Sequence, residues 1–342
     1  MKKKMRITAV LMLCLSLCLA GCGKQTEPEE PNISRTGFYF DTVITITCYD
    51  TTDETILDRA FALAKFYDHL FSTERDDSDI SLINAAVSDT VTVDPETAAL
   101  LSIGKEYYEK TDGRFALTIG ALSSLWGLSS SDLSDFKIPS EGAVENALDT
   151  VDDSYLEIEG NDVTLLDPEA RLDCGGIAKG YIADRIGTYL RVAGVKSAII
   201  NLGGNVLTIG SRPDGKPFRV GIQEPFAETG TPIASLAISG QSLVTSGVYE
   251  RYTTVGGELY HHILDTKTGY PVRNSLLSVT ILSEHSVDGD ALSTAVFSMG
   301  LEKGAAYVES LPGIEAVFVT SENKVLVTSG LTGLVEVYSS GG

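Results

Sequence analysis

The sequence predicts an α+β fold of mixed, largely antiparallel sheets with packed helices. Strand-like runs alternate with period two, as in 40–49, while runs such as 55–70 and 178–193 carry apolar residues at helical spacing. The two kinds interleave without a regular strand–helix–strand period, which disfavours a doubly wound sheet. No fixed-period repeat is present.

The N-terminus comes first in order. Lys2, Lys3, Lys4 and Arg6 precede an apolar stretch, 7–19, that ends in Leu19-Ala20-Gly21-Cys22. A short basic segment, an apolar run too short for a confident span, and small residues before a cysteine predict a lipoprotein signal peptide over 1–21, with lipid attached at Cys22. The span 22–35 follows as a lipidated Cys22 and a solvated tether rich in Glu and Pro. The globular domain is expected over 36–340. These features place the protein at the extracytoplasmic face of a bacterial membrane, anchored at Cys22.

Within the domain, 40–49 predicts a half-buried strand and 55–70 a helix through Ile56, Leu57, Ala60, Leu63, Ala64, Tyr67 and Leu70. Helices are predicted over 97–111 and 139–148. The span 155–166 predicts a hairpin turning at Gly160-Asn161. A helix over 178–193 and an apolar strand over 195–202 come next. Strands then fit 206–209, 218–222, 233–239, 243–245, 249–255 and 278–282. A helix begins near Asp288 or Asp290, another covers 303–310, and strands fit 315–320, 324–327 and 335–338.

The formal net charge is −21, and losing the signal's four basic residues makes it −25. With no basic stripe, this acidity argues against nucleic acid as a partner. Of five cysteines, only Cys48 and Cys174 remain beyond Cys22. A single disulfide between them is left open, but no cysteine framework or metal-binding Cys/His spacing exists, so folding must rest on a hydrophobic core. Roughly 300 residues suffice for one.

Two short blocks carry chemistry. Leu172-Asp173-Cys174-Gly175-Gly176-Ile177-Ala178-Lys179 places paired glycines and a lysine where a turn enters a helix. Bare backbone there allows close approach to a phosphate, with Lys179 adding charge. A tight turn with a solvated lysine is the other reading, and both stay open. The second block, Asp288-Gly289-Asp290-Ala291-Leu292-Ser293-Thr294, reads as a helix N-terminus. Asp290 and Thr294 share a helix face, so carboxylate and hydroxyl can meet one hard cation such as Mg²⁺, whose shell a substrate's phosphates complete. Asp288 or Asp290 as a simple N-cap is the alternative.

Further polar blocks lie at 71–84, at Thr111-Asp112-Gly113-Arg114-Phe115-Ala116-Leu117-Thr118 leading to Trp126, at Thr245-Ser246-Gly247-Val248-Tyr249-Glu250-Arg251-Tyr252, and at Tyr260-His261-His262-Ile263-Leu264-Asp265. Taken in this order, the blocks resemble the ApbE family of flavin transferases from about Thr36 to Tyr338. The resemblance implies an ApbE-like two-subdomain architecture. It also implies Mg²⁺-assisted cleavage of FAD, with FMN passed to a threonine or serine hydroxyl of a partner protein and AMP released.

Residue by residue, the resemblance assigns His262 as the catalytic histidine. Phe40, Glu74, Arg114, Phe115, Ala116, Asp173, Lys179 and Ile263 fall at flavin-nucleotide positions. Gly176, through its carbonyl, falls with Asp290, Ser293 and Thr294 at metal positions. Phe40 stands where methionine is frequent, Glu74 where some members have tyrosine, Ala116 where an acid is common, and Ser293 where some have an acid. The acceptors implied include subunits of Rnf-type or sodium-pumping NADH:quinone reductase complexes. A neutral imidazole can take the proton of an incoming hydroxyl near pH 7. On a strand only one of His261 and His262 reaches the site. Two alternatives remain: a Mg²⁺-dependent FAD pyrophosphatase giving FMN and AMP, and a non-catalytic FAD-binding lipoprotein.

Overall fold

The computed structural model describes residues 32–129 and 132–338. The signal peptide over 1–21 and the lipidation site Cys22 lie outside the described residues. Strand β1 (Ile33–Tyr39) begins inside the span expected as tether, because its residues pair with β2 (Thr42–Cys48) from Ile33↔Cys48 to Tyr39↔Thr42. Phe40 and Asp41 turn the hairpin with φ of 54° and 53°, the left-handed pair that a two-residue type I′ connection requires.

Helix α1 (Glu54–Phe71) follows, capped by Asp53, whose carboxylate accepts from Thr55 N at 3.0 Å. Its buried face is Leu57, Ala60, Phe61, Ala64, Tyr67, Leu70 and Phe71. The polar stretch after it hides a short helix, α2 (Asp79–Ala85), capped by Ser78. Strand β3 (Val91–Thr92) leads to α3 (Pro95–Lys110), with Pro95 in the first turn and Asp94 as cap. Helix α4 (Gly120–Trp126), α5 (Glu141–Leu148), and the hairpin β4 (Leu156–Glu159) and β5 (Asp162–Leu165) complete the first half. The short α2, α4 and β3 escape periodicity because two turns or fewer leave no repeat to read.

Helix α6 (Ala178–Val192) precedes strands β6 (Ala198–Leu202), β7 (Asn205–Ile209), β8 (Phe218–Gln223), β9 (Pro232–Ile238), β10 (Ser242–Gly247), β11 (Tyr252–Val255), β12 (Glu258–His261) and β13 (Leu276–Ser283). Helices α7 (Ser286–Met299) and α8 (Leu301–Glu309), then β14 (Glu315–Thr320), β15 (Val325–Val327) and β16 (Val335–Val337), close the chain. Helix α7 starts one turn before the expected position. Asp290 is therefore not an N-cap, and neither is Asp288.

The central sheet is eight-stranded in the order β1-β2-β6-β7-β10-β13-β14-β15, and all its pairings are antiparallel. Smaller antiparallel sheets are β16-β9-β8, β3-β5-β4 and the hairpin β11-β12. Successive strand residues serve opposite faces, and this divides the core. Val279 and Ile281 on β13, with Ala316 and Phe318 on β14, join the large core under the helices. Leu282, Val317 and Val319 join Val220, Ile222, Ile233, Leu236 and Ile238 in a second core beneath the three-stranded sheet. A third, small core surrounds Trp126 with Leu122, Leu128, Val144 and Leu264. Residues from Asn32 onward cluster as one compact unit, in which the cores are separated by a sheet rather than a linker. Cys48 and Cys174 are both buried and free, so the disulfide left open by the sequence does not form.

Candidate functional site

The glycine turn and α7 meet. Helix α6 begins directly behind Gly175 and Gly176, and its first turn lies against the first turns of α7. Gly180 N donates to Asp290 Oδ2 at 2.8 Å, while Lys179 Nζ stands 3.7 Å from Asp290 Oδ1 and 3.3 Å from the Gly175 carbonyl. The crossing depends on Gly180 having no side chain, since a Cβ there would lie 2.3 Å from the Ser286 carbonyl oxygen. A Cβ on Gly176 would lie 3.2 Å from the Phe115 ring and 3.9 Å from Thr294 Oγ1. Thus Phe115, Gly176, Lys179, Asp290 and Thr294 occupy one locus.

Hydroxyls extend it. Ser246, at the end of β10, lies 2.8 Å from Ser293 Oγ and 3.3 Å from Thr294 Oγ1. Ser293 Oγ also donates to the Asp290 carbonyl at 3.0 Å. No group of three His, Cys, Asp or Glu able to hold a metal occurs among the described residues. What gathers beside Gly176 is a carboxylate that is 4% exposed and the neighbouring hydroxyls of Ser293 and Thr294, all hard oxygen donors. This set fits Mg²⁺, which is held by one or two carboxylates while phosphates and water complete its shell.

The turn itself is braced. Asp173 N donates to the Leu117 carbonyl at 2.8 Å, and Asp173 Oδ1 accepts from Gly175 N at 2.8 Å. Asn84 accepts from Leu172 N at 2.7 Å and donates to its carbonyl at 3.0 Å. The fully buried Asp153 accepts from Leu117 N and Thr118 N, both at 2.9 Å, and so holds the segment carrying Arg114, Phe115 and Ala116. Burial raises the Asp153 carboxyl, and those hydrogen bonds oppose the rise. Arg114 pairs with Asp265 at 3.3 Å, so Asp265 serves that pair and the turn at Lys267, whose N–H it accepts at 2.7 Å, rather than a histidine.

The two histidines have different surroundings, and His262 lies just past the end of β12 rather than on it. His261 is 4% exposed, packs edge-on against Phe297, and bonds the Val272 carbonyl through Nε2 at 2.9 Å. His262 Nδ1 lies 3.3 Å from the Arg251 carbonyl. A carbonyl only accepts, so Nδ1 carries the proton of the neutral ring and Nε2 keeps its lone pair. The His262 pKa is lowered to about 3, first by burial, with the charges of Arg251 and Lys179 acting in the same direction. His262 is half-buried. Ile263 is buried beside it, its N–H directed to His261 Nδ1 at 3.3 Å. Trp126 fixes this segment by stacking on Tyr260 at 6.0 Å and donating to the Gly269 carbonyl at 2.7 Å.

Phe40 and Glu74 are not drawn into this locus by any bond described for them. Phe40 N donates to Asp68 at 2.8 Å, and the exposed Glu74 bonds Ser72 through its N–H at 3.0 Å. Other residues went unread in the sequence. Glu250, exposed yet within reach of the Asp290 and Lys179 charges, has its carboxyl pushed up to about 7, first by the surrounding protein and then by Asp290, against the pull of Lys179 and Arg251. Its place in the block 245–252 is the signal that marks it. Ser246 shares that block, whereas Asp184 carries no local motif and only its partners at the start of α7 reveal it.

The ApbE family model matches residues 40–318. A FAD:protein FMN transferase of Klebsiella pneumoniae is 40% identical over 283 residues, covering 81% of this chain and 86% of that protein. One from Treponema pallidum is 30% identical, covering 96% of this chain and 94% of its own. Among solved structures, the ApbE protein of Thermotoga maritima superposes with a TM-score of 0.81 at 29% identity, covering 89% of this chain and 99% of that one. The flavinyl transferase ApbE of Pseudomonas stutzeri gives 0.78 at 28% identity, covering 89% and 96%.

Proposed function

The chain belongs to the ApbE family and is a flavin transferase that uses FAD and a protein acceptor, and we propose that it joins FMN to a threonine or serine hydroxyl with release of AMP. The observation that carries this reading is the meeting of Asp290, Thr294, Gly176 and Lys179, with the Lys179 charge also felt by a histidine whose Nε2 is unprotonated.

Asp290, Thr294 and the Gly176 carbonyl would hold Mg²⁺, with Ser293 ordering the hydroxyls around them. When bound, the ion neutralises charge on the pyrophosphate oxygens. Lys179 offers the diphosphate a second positive charge, and Asp173 keeps the turn open by holding Gly175 N. His262 Nε2 takes the acceptor hydroxyl's proton as that oxygen bonds to the flavin-side phosphorus. The bond from this phosphorus to the bridging oxygen breaks, and AMP leaves with the electron pair. Desolvation, together with the positive charges of Arg251 and Lys179, keeps His262 neutral for this step.

In our reading Cys22 carries the lipid and the enzyme works at the extracytoplasmic membrane face. Its acceptors there are flavin-bearing subunits of the Rnf or sodium-pumping NADH:quinone reductase type. Incubation with FAD, Mg²⁺ and a threonine-bearing acceptor should give a fluorescent, covalently labelled acceptor and one AMP per label. FMN and AMP without labelling would establish hydrolysis instead, and no product at all would leave only FAD binding.

A further inference from the structure

We propose that Asp184, on α6, is a positioning residue for the cation and phosphate site: it supplies the N-cap that α7 lacks and thereby fixes Asp290 and Thr294 in register against the glycine turn. The inference rests on the reading of Asp290 and Thr294 as cation ligands.

Helix α7 has His285 at its N-cap position, and that side chain makes no capping bond. The first N–H groups of a helix need acceptors, and a buried end without them is costly. Asp184 provides both from another helix. Its Oδ1 accepts from Ser286 N at 2.9 Å, and its Oδ2 accepts from Val287 N at 2.9 Å. A carboxylate at a helix N-terminus also meets the positive end of the helix dipole.

Gly180 lies one turn before Asp184 on the same face of α6. Its N–H holds Asp290 Oδ2, and its missing Cβ admits the Ser286 carbonyl. Helix α6 therefore grips α7 at two points a turn apart, and these points bracket the segment from Ser286 to Asp290. With both held, α7 can neither slide nor rotate without moving Asp290 away from Lys179 and Thr294 away from Gly176. Asp184 bonds the backbone of α7 rather than the Asp290 or Thr294 side chains, so its effect on the site passes through that backbone.

The test is Mn²⁺ binding by the full chain with saturating FAD, followed by electron paramagnetic resonance. Asp184→Asn retains one acceptor and should weaken Mn²⁺ about tenfold, as loss of an outer ligand-supporting contact does. Asp184→Ala retains none and should weaken it further. FAD affinity without metal and the circular dichroism spectrum should stay as in the wild type. Unchanged Mn²⁺ affinity in both folded variants, with only a lower Tm, would reduce Asp184 to a stabilising cap and overturn the proposal. If neither variant folds, Gly180→Ala decides, because it parts the same crossing; unchanged Mn²⁺ affinity there overturns the proposal too. Wild-type Mn²⁺ binding that is indifferent to Asp290→Ala would instead refute the ligand assignment on which the proposal stands.

Discussion

Asp290→Asn removes one charge from the site while keeping the side-chain shape. The amide oxygen can still accept from Gly180 N, which lies 2.8 Å from the present carboxylate, so no backbone donor is orphaned. What is lost is the attraction to Lys179 at 3.7 Å. At an effective dielectric of about 20 this attraction is roughly 4 to 5 kcal/mol before desolvation. Burying the carboxylate offsets much of that, leaving a net loss of about 1 to 2 kcal/mol. For a domain of this size the fall in Tm should be only a few degrees, about 2 to 4 °C per kcal/mol.

Catalysis should suffer far more. The Asp290 carboxylate would hold the cation that neutralises the diphosphate, and weakening such electrostatic stabilisation costs about 100- to 1,000-fold in kcat, or roughly 3 to 4 kcal/mol. The assay couples chromatographic AMP release to fluorescence of the labelled acceptor at saturating FAD, alongside thermal unfolding of the same sample. Turnover within threefold of the wild type, with the expected small drop in Tm, would refute the assignment of Asp290 as a ligand of the cation at the reacting phosphates.

Three further outcomes follow from the geometry. His262→Ala should bind FAD with little change in a fluorescence titration yet transfer flavin about 100- to 10,000-fold more slowly; undiminished transfer would remove His262 as the base. In acid, two groups pull stability in opposite directions. The His262 pKa falls to about 3 on folding, so the unfolded chain takes up its proton first and stability drops as pH falls from 6.5 towards 3. Asp184 is instead raised to about 6, mainly by burial, so the native state protonates first and stability is gained as pH falls from 6 to 3.8, by at most about 3 kcal/mol. Unfolding curves across pH 4 to 7 should therefore show His262→Ala improving relative to the wild type as pH falls, and Asp184→Asn worsening. Finally, the buried free thiols of Cys48 and Cys174 should resist a thiol reagent until denaturant is added, and a reductant should leave Tm unchanged; a reductant-sensitive Tm would contradict the unpaired state.

Much of the fold was legible because long elements repeat their pattern enough times to be read. The helix α1 stripe and the alternation of β2 each bury one face, and that requirement writes itself into the sequence. Helices α2 and α4 were not legible, being seven residues each. The start of α7 was misplaced by a turn for a different reason. A helix normally announces its beginning with a local capping side chain, and this one borrows its cap from Asp184, 102 residues earlier.

For the site, the groups on offer are legible in the sequence: glycines and Lys179 at a turn, Asp290 and Thr294 four residues apart on one helix face, and a histidine pair. That these pieces meet is a matter of packing, because their meeting depends on a backbone contact at Gly180 and on partners such as Asp184 and Asp153 with no local signature. It also gives the two histidines different partners, the Val272 carbonyl for His261 Nε2 and the Arg251 carbonyl for His262 Nδ1. Local sequence fixes which groups a residue can offer to a ligand, whereas packing between distant segments fixes which of those groups face one another.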